Sequence, residues 1–296
     1  MPEVYILVMK KKKTIILLVS LVLTVIALIL RMAWVETSFF RVNEYTVTLE
    51  NLPPEHDGLT VAVIGDLHLK RASFENGFYD AVSEVIREKS PDLVLLLGDY
   101  LSAKDRRSLL EVDNMCQTVS KWHGKYGTLA IAGNHDVYFE KAGNLAYVEK
   151  ALKKAGFTVL DGSGVSLDIH GKPFQIAGVA DRDDSWCRMG KIPADFDRSF
   201  PVYGMIHSPE EMYSVRNSFD MIFSAHTHRG QLRMPVFGER YLLLCYRRGW
   251  FGSGVRKHGK CVQFITSGLG TSAWPVRLYD LPEIAWVTLR CPAVSR

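Results

Sequence analysis

The stretch Thr60–Leu69 reads TVAVIGDLHL, a run of aliphatic residues that ends in a glycine followed by Asp66 and His68. The same pattern returns in LVLLLGD at 93–99 and in TLAIAGNHD at 128–136, where a glycine and polar residues again close an aliphatic run. Continuous rather than alternating aliphatic runs are typical of strands that are buried on both faces of a sheet. These three stretches therefore predict a mixed α/β fold built on a buried sheet.

Two further aliphatic runs, 202–206 and 221–224, predict two more buried strands, and a histidine follows each of them within two residues. Apolar residues at helical spacing predict helices over 74–86, 109–122 and 145–155. Later in the chain, shorter runs separated by glycine and proline predict a second half that is rich in strands. We expect one domain after residue 50, because neither a repeat nor a Gly/Ser linker divides that region.

The amino terminus carries a long uncharged apolar segment. Residues 14–30 read TIILLVSLVLTVIALIL, and Trp34 extends the segment beyond Arg31 toward the ~20 residues that span a bilayer as a helix. Four consecutive lysines precede it, which favours a cytoplasmic amino terminus and a domain outside the cytoplasm. The sequence predicts an uncleaved, single-pass anchor in a bacterial inner membrane. A cleaved signal peptide and a buried soluble helix remain the alternatives.

The predicted organisation has four parts. A basic cytoplasmic tail (1–13) and a transmembrane anchor (14–34) are followed by a membrane-proximal segment (35–50) and a catalytic domain (51–296). The first 31 residues contain five basic residues and one acidic residue, so they account for the whole net charge of +4. Because residues 32–296 carry no net charge, we expect no nucleic-acid partner.

The cysteines do not define a disulfide framework. Their number is five, which is odd, and they are widely spaced without a C-x-x-C pair. Cys245 and Cys261 are candidates for pairing in an oxidising compartment, but buried free thiols are the preferred interpretation.

Candidate metal ligands follow five of the predicted strands. Ligands of an open α/β sheet bind at the carboxyl ends of its strands, so residues distant in sequence are expected to converge there. Carboxylate, amide and imidazole groups without a thiolate favour manganese, iron or zinc, and seven ligands are too many for one ion. The sequence therefore predicts two divalent metal ions, a pair that suits phosphoryl displacement. The candidates are Asp66, His68, Asp99, Asn134, His207, His226 and His228.

Each motif alone also has a structural interpretation. Asp-x-His and Gly-Asp occur in ordinary turns, and a single histidine is more often a structural residue than a ligand. The acidic residues Asp181, Asp183 and Asp184 suggest a further metal site, but a turn with solvated carboxylates is the preferred interpretation. The basic and aromatic segment 246–252 is either an ordinary loop or a contact for lipid head groups.

Taken in order, GDLH, GDY, GNHD, an isolated histidine and SAHTHRGQ resemble the calcineurin-like metallophosphoesterase superfamily over residues 60–235. The resemblance implies a four-layer αββα sandwich of two mixed sheets, here preceded by a transmembrane helix. It also implies two metal sites and an attacking water activated by them. By motif, Asp66, His68 and His228 would bind the first ion, Asn134, His207 and His226 the second, and Asp99 both.

The resemblance also assigns residues beyond the metal ligands. His135 matches a histidine that assists the leaving group, and Asp136 would orient it or serve as a turn carboxylate. Arg229 and Arg71 are candidate substrate contacts, although a solvated loop arginine is an alternative for Arg229. Ala225 stands where many relatives have glycine.

The anchor, the HTHRGQ stretch and the segment 265–289 are similar to the bacterial membrane-anchored branch of the superfamily. That branch includes enzymes similar to UDP-2,3-diacylglucosamine pyrophosphatase of lipid A biosynthesis. We therefore expect a metal-dependent hydrolase of a phosphodiester or pyrophosphate bond in a lipid-linked or cell-envelope substrate. A nuclease or nucleotide phosphodiesterase and a non-catalytic scaffold are the alternatives, and the sequence leaves the oligomeric state open.

Overall fold

A computed structural model describes most of the chain, namely residues 2–69, 77–102, 109–138, 145–179, 193–233, 252–272 and 274–293. Several sequence predictions fall outside these residues. They concern Arg71 as a substrate contact, the acidic turn at Asp181, Asp183 and Asp184, nearly all of segment 246–252, and the pairing of Cys245. Cys261 is a buried free thiol.

The first sheet has six strands. They are β1 (Arg41–Thr48), β2 (Thr60–Ile64), β3 (Leu93–Leu96), β4 (Thr128–Ala130), β5 (Thr158–Val159) and β12 (Glu283–Arg290). Their spatial order is β1-β12-β2-β3-β4-β5. The strands from β2 to β5 run parallel, whereas β12 lies antiparallel to β2. The sheet is therefore mixed, with its parallel part formed by the predicted aliphatic runs.

The second sheet also has six strands. They are β6 (Gly164–Ile169), β7 (Lys172–Gly178), β8 (Val202–Met205), β9 (Met221–Ser224), β10 (Gly254–His258) and β11 (Cys261–Ile265). Their spatial order is β10-β11-β9-β8-β7-β6, with antiparallel pairs at both edges and parallel pairs between them. The predicted strand-rich second half is confirmed.

The helices are α1 (Pro2–Leu30), α2 (Glu36–Ser38), α3 (Phe78–Lys89), α4 (Leu109–Val119), α5 (Asn134–Tyr138), α6 (Leu145–Lys154) and α7 (Met212–Val215). One π-helical turn, Arg31–Val35, joins α1 to α2. Short 3-10 turns occur at Pro54–His56, Pro209–Glu211, Arg216–Ser218 and His228–Gly230. The three helices predicted from periodicity correspond to α3, α4 and α6.

The two sheets pack face to face and bury a common core. Aliphatic residues of β2 and β3, such as Val63 and Leu95, meet Phe174 of β7 and Phe223 of β9 in one cluster. On the outer face of the first sheet, α3, α4 and α6 pack against the alternate residues of the same strands. On the outer face of the second sheet, α7 covers β8 and β9. The predicted four-layer αββα sandwich is therefore confirmed.

Strand β1 lies in the segment that the sequence assigned to the membrane-proximal region. It pairs in parallel with β12 along its whole length, from Arg41 opposite Glu283 to Thr48 opposite Arg290. The segment between the apolar helix and residue 50 thus supplies an edge strand of the first sheet. The apolar helix enters the domain without an intervening linker.

Within the described residues, one helical stretch, 8–38, is long and apolar enough to cross a membrane. Its apolar side chains are exposed in the isolated chain, and none of the most apolar part is buried against the domain. This exposure distinguishes it from the core helix of a soluble protein, whose apolar face would be covered.

Candidate metal centre

The predicted ligands come together at one edge of the sandwich. Strands β2, β3 and β4 are parallel neighbours, so the loops after them open on the same side of the first sheet. Strands β8 and β9 are parallel neighbours in the second sheet, and His207 and His226 follow their ends. A hydrogen bond joins the two groups of loops, since the backbone amide of His226 donates to the side-chain Oδ1 of Asp66 at 3.1 Å.

Most of these ligand positions have an unusual backbone. Five of the seven predicted ligands have positive φ angles between 43° and 69°, namely Asp66, His68, Asp99, His226 and His228. Residues other than glycine rarely adopt this left-handed conformation, and such strain concentrates at functional sites. Three of the strands, β2, β3 and β9, therefore end in sharp turns that direct these side chains toward the centre.

The first cluster contains Asp66, His68 and His228, whose ligand-type atoms all lie within 4.8 Å of one another. The Nε2 atoms of the two histidines are 3.0 Å apart, and Nε2 of His228 is 4.0 Å from Oδ1 of Asp66. Two nitrogens bound at about 2.1 Å to one ion, at right angles, would also be about 3 Å apart. This geometry fits one divalent cation.

The second cluster contains Asp99, His207 and His226, again within 4.8 Å of one another. Nε2 of His207 lies 3.1 Å from Nδ1 of His226 and 3.1 Å from Oδ1 of Asn134. Three side chains from three different loops thus converge on one point. The spacing of their atoms again fits the coordination shell of one cation.

Asp99 lies between the two clusters. Its Oδ2 atom is 3.4 Å from Nε2 of His68 in the first cluster and 3.3 Å from Nε2 of His207 in the second. A carboxylate that faces one histidine from each side is suited to bridge two ions.

Two observations test whether cations fit these residues. Nδ1 of His207 lies 2.7 Å from the carbonyl oxygen of Leu97, so Nδ1 carries the proton and Nε2 presents a lone pair to the centre. Oδ2 of Asp66 is buried without a hydrogen-bond partner among the described residues. Leaving a buried carboxylate oxygen unsatisfied is costly, and a bound cation would compensate it. The donor set therefore fits divalent metal ions.

The electrostatics agree with this interpretation. Burial lowers the pKa of His226 to about 3, and burial together with the neighbouring His68 holds the pKa of His228 well below its ordinary value. Both imidazoles are therefore neutral and able to donate a lone pair. Burial raises the pKa of Asp66 to about 7 in the metal-free protein, and a nearby cation would reverse that shift.

Asp136 holds the loop that carries Asp99. Its Oδ2 accepts from the amides of Asp99 at 2.7 Å and Gly133 at 2.9 Å, and its Oδ1 accepts from the amide of Tyr100 at 3.0 Å. The side chain is fully buried. These contacts favour the interpretation of Asp136 as a turn carboxylate. Its role in orienting His135 stays a prediction.

His135 lies at the border of the centre and is partly exposed. Its ring is 4.6 Å from the ring of His68, edge to face, and its amide donates to Oδ1 of Asp99 at 2.8 Å. The position is accessible from solvent and adjacent to both clusters. From this position, the His135 side chain can contact a molecule that binds at the solvent-facing side of the centre, where the buried residues do not extend.

A network that the sequence did not predict supports the centre from the carboxyl-terminal loop, residues 267–280. Arg277 is fully buried, and its guanidinium donates to the carbonyl oxygens of Ser267 at 2.9 Å and Gly270 at 2.7 Å. The amide of Gly270 donates to the carbonyl oxygen of Asp66 at 2.7 Å. Arg277 therefore fixes a loop that packs directly on a candidate ligand. The signal in the sequence is a single arginine among the apolar residues of WPVRLY at 274–279.

Arg229, the other predicted substrate contact, follows His228 directly and has a positive φ of 50°. Its Nη1 lies 3.6 Å from Oδ1 of Asp280, and about a quarter of the side chain is exposed. Asp280 thus holds Arg229 beside the clusters, with the side chain partly exposed.

Paired clusters of buried carboxylates and imidazoles at the strand ends of a two-sheet sandwich define a metal-dependent hydrolase of phosphate esters. A family model described as calcineurin-like phosphoesterase matches residues 59–230, which is more than half of the chain. The chain belongs to this family and is a metallophosphoesterase.

Several relatives are similar over most of the chain. A metallophosphoesterase of Aquifex aeolicus (strain VF5) is 27% identical over 86% of this chain and 94% of its own length. Phosphodiesterase YaeI of Escherichia coli (strain K12) is 27% identical over 77% of this chain and 81% of its own length. A Danio rerio transmembrane protein with a metallophosphoesterase domain is 24% identical over 84% of this chain and 57% of its own length.

Among solved structures, a dimetal phosphatase from Danio rerio has a TM-score of 0.46 at 13% identity. The match covers 76% of this chain and 94% of that chain.

Proposed function

We propose that this protein is a membrane-anchored, two-metal phosphodiesterase or pyrophosphatase. The observation that carries the proposal is the position of Asp99, whose Oδ2 lies at nearly equal distances from His68 and His207. Asp66, His68 and His228 would hold one ion, and Asn134, His207 and His226 the other, with Asp99 shared. Manganese, iron and zinc all suit these oxygen and nitrogen donors.

The residues around the proposed ions would have separate roles in catalysis. When bound, two divalent cations supply activation of water and neutralisation of the phosphate charge. His135 is placed to donate a proton to the departing oxygen, because it is partly exposed and adjacent to both clusters. Arg229 would bind a phosphate oxygen of the substrate, since Asp280 holds it beside His228.

The substrate would be lipid-linked or part of the cell envelope. The exposed apolar helix supports this, because it joins the domain directly and would keep the centre close to a bilayer. A molecule similar to UDP-2,3-diacylglucosamine, which has acyl chains and a pyrophosphate, is the leading candidate. We further propose an inner-membrane location with the amino terminus in the cytoplasm and the domain outside it, following the four lysines at 10–13.

The decisive experiment compares turnover by the full-length wild type and Asp99→Ala in detergent, with and without manganese. The substrates are bis-p-nitrophenyl phosphate, a lipid pyrophosphate and single-stranded DNA. We expect the wild type to require the metal and to prefer the lipid pyrophosphate, and Asp99→Ala to lose at least about a thousandfold in rate. Asp113→Ala, on the exposed face of α4, is the matched control and should keep wild-type activity.

Each outcome has a distinct meaning. Metal-independent turnover, or full activity of Asp99→Ala, would overturn the two-metal assignment. Preference for DNA would favour the nuclease, and absence of turnover on all three substrates would favour a scaffold. A reporter fused to the carboxyl terminus tests the proposed side of the membrane, because an extracytoplasmic domain should carry an active periplasmic reporter.

A further inference from the structure

A groove of about 650 Å³ lies where the apolar helix joins the domain. One wall is the chain from Arg31 to Arg41, and the other is formed by Tyr279 and Leu281. The volume is in the range of ligand-binding pockets. We call this feature the interfacial groove.

The interfacial groove carries a net positive charge. Arg31 is compensated, since its Nε lies 2.9 Å from Oε1 of the buried Glu36 and its guanidinium stacks on Tyr279 at 4.7 Å. Arg41 is exposed and has no carboxylate within ion-pair distance in the described part of the chain. The groove therefore offers one uncompensated cation, and an anion would complement it.

The same groove is apolar where it faces the helix. Phe39 lines the groove and is 62% exposed, and Trp34, which lies outside the lining, is 72% exposed. Both values are high for side chains that usually pack in a core. Both residues lie just beyond the uncharged stretch 14–30, at the depth where aromatic side chains border a bilayer. A ligand with a charged head and an apolar tail would match both parts of the groove.

Three consecutive residues, 279–281, connect the groove to Arg229 beside the metal centre. Tyr279 and Leu281 line it, whereas the carboxylate of Asp280 between them is buried against Arg229 and Arg277. The amide of Asp280 donates to Oε2 of Glu36 at 3.3 Å. Tyr279 has a positive φ of 53°, so this short segment is strained. An occupant of the groove would therefore contact the segment that positions Arg229.

We infer that the interfacial groove binds the phosphate head group of an anionic membrane lipid, with Arg41 on the phosphate and Phe39 on the upper acyl chains. This inference rests on the proposed membrane anchoring but concerns a site separate from the metal centre. The bound lipid would align the domain so that the 279–281 segment faces the bilayer surface. A free phosphate would satisfy Arg41 alone and leave Phe39 exposed.

The test uses the full chain purified in a neutral detergent and mixed with micelles that contain phosphatidylglycerol or phosphatidylcholine. Lipid that remains bound after gel filtration is counted by mass spectrometry. We expect more phosphatidylglycerol than phosphatidylcholine on the wild type, and Arg41 should account for about fivefold of that ratio, as one basic residue near a lipid surface contributes. The four lysines at 10–13 add to the ratio equally in every variant. Arg41→Gln should lower the ratio of phosphatidylglycerol to phosphatidylcholine about fivefold, and Phe39→Ser should reduce retention of both lipids. A large excess of inorganic phosphate should not displace the lipid.

Controls separate this inference from the proposed function. Arg198→Gln changes an exposed arginine near the opposite ends of the strands and should keep the preference. Asp99→Ala should lose turnover of bis-p-nitrophenyl phosphate yet retain the lipid, so the two proposals can fail separately. Thermal unfolding by circular dichroism checks that each variant folds. Equal retention of the two lipids by the wild type, an unchanged preference in Arg41→Gln, or displacement by phosphate would overturn the inference.

Discussion

A Cβ atom added at Gly65 would lie 2.8 Å from the Cβ atom of Ala225. The two residues precede candidate ligands in different sheets, Asp66 after β2 and His226 after β9. Ala225 is fully buried, so the gap between the two strand ends has room for one methyl group and not for two. Ala225 is therefore tolerated because its neighbour across the sandwich is a glycine.

Gly65→Ala should consequently destabilise the domain by about 2 kcal/mol, the usual cost of overpacking. The double variant Gly65→Ala/Ala225→Gly should recover at least about 1 kcal/mol of that loss, because it moves the methyl group from one strand end to the other. Urea unfolding of the four proteins in the cycle measures the coupling. Strictly additive effects would show that the two positions do not compete for space.

Asp136→Asn should weaken metal binding by about tenfold, the lower end of the range for groups that orient ligands. The amide keeps one oxygen acceptor but turns an NH₂ group toward an amide it formerly accepted from, so the loop of Asp99 shifts. Calorimetric titration with manganese measures the affinity, and Asp113→Asn on α4 is the control. Unchanged affinity in Asp136→Asn would mean that the loop holds its shape without this carboxylate.

Removal of metal should lower the thermal unfolding midpoint of the detergent-solubilised protein by about 5–10 °C, as expected for a ligand near a hundredfold excess over its Kd. The physical reason is that Asp66 and Asp99 are buried and would lose their compensating cations. Scanning calorimetry with and without a chelator measures the shift. Asp99→Ala should show a smaller shift, and identical midpoints for the wild type would contradict bound metal.

Arg277→Met should cost about 3 kcal/mol of stability, because it leaves buried carbonyl groups without a donor and leaves Asp280 with Arg229 as its remaining ion-pair partner among the described residues. Arg290→Met removes an arginine that pairs with Asp57 at the surface and should change stability little. Chemical denaturation of both variants makes the comparison. Equal losses would mean that the buried network contributes no more than a solvated pair.

Arg229→Gln should raise the KM for an anionic substrate by about tenfold, with kcat nearly unchanged, if its guanidinium binds phosphate. Steady-state kinetics with bis-p-nitrophenyl phosphate measure both constants, and metal analysis verifies that the ions remain. Arg256→Gln, on β10, is the control. A wild-type KM in Arg229→Gln would instead assign the residue to its pairing with Asp280.

Parts of this protein follow from local sequence. The aliphatic runs that form β2, β3, β4, β8 and β9 are buried on both faces. Their continuous aliphatic composition predicts that burial. Because the candidate ligands follow these strands directly, their convergence followed from the strand prediction. The spans of α3, α4 and α6 followed from the spacing of apolar residues.

Other features depend on contacts between distant parts of the chain. β1 joins the first sheet through β12, and Glu36 reaches Asp280 across 244 positions, so neither pairing has a local signature. Amino-acid composition predicts which residues are buried. Which strand or side chain each one pairs with depends on the surfaces that the packed sheets bring into contact. The sequence by itself therefore determined the buried strands and the chemistry at their ends. Only the tertiary structure decided that Asp136 supports Asp99 and that the apolar helix meets the loop beside the metal centre.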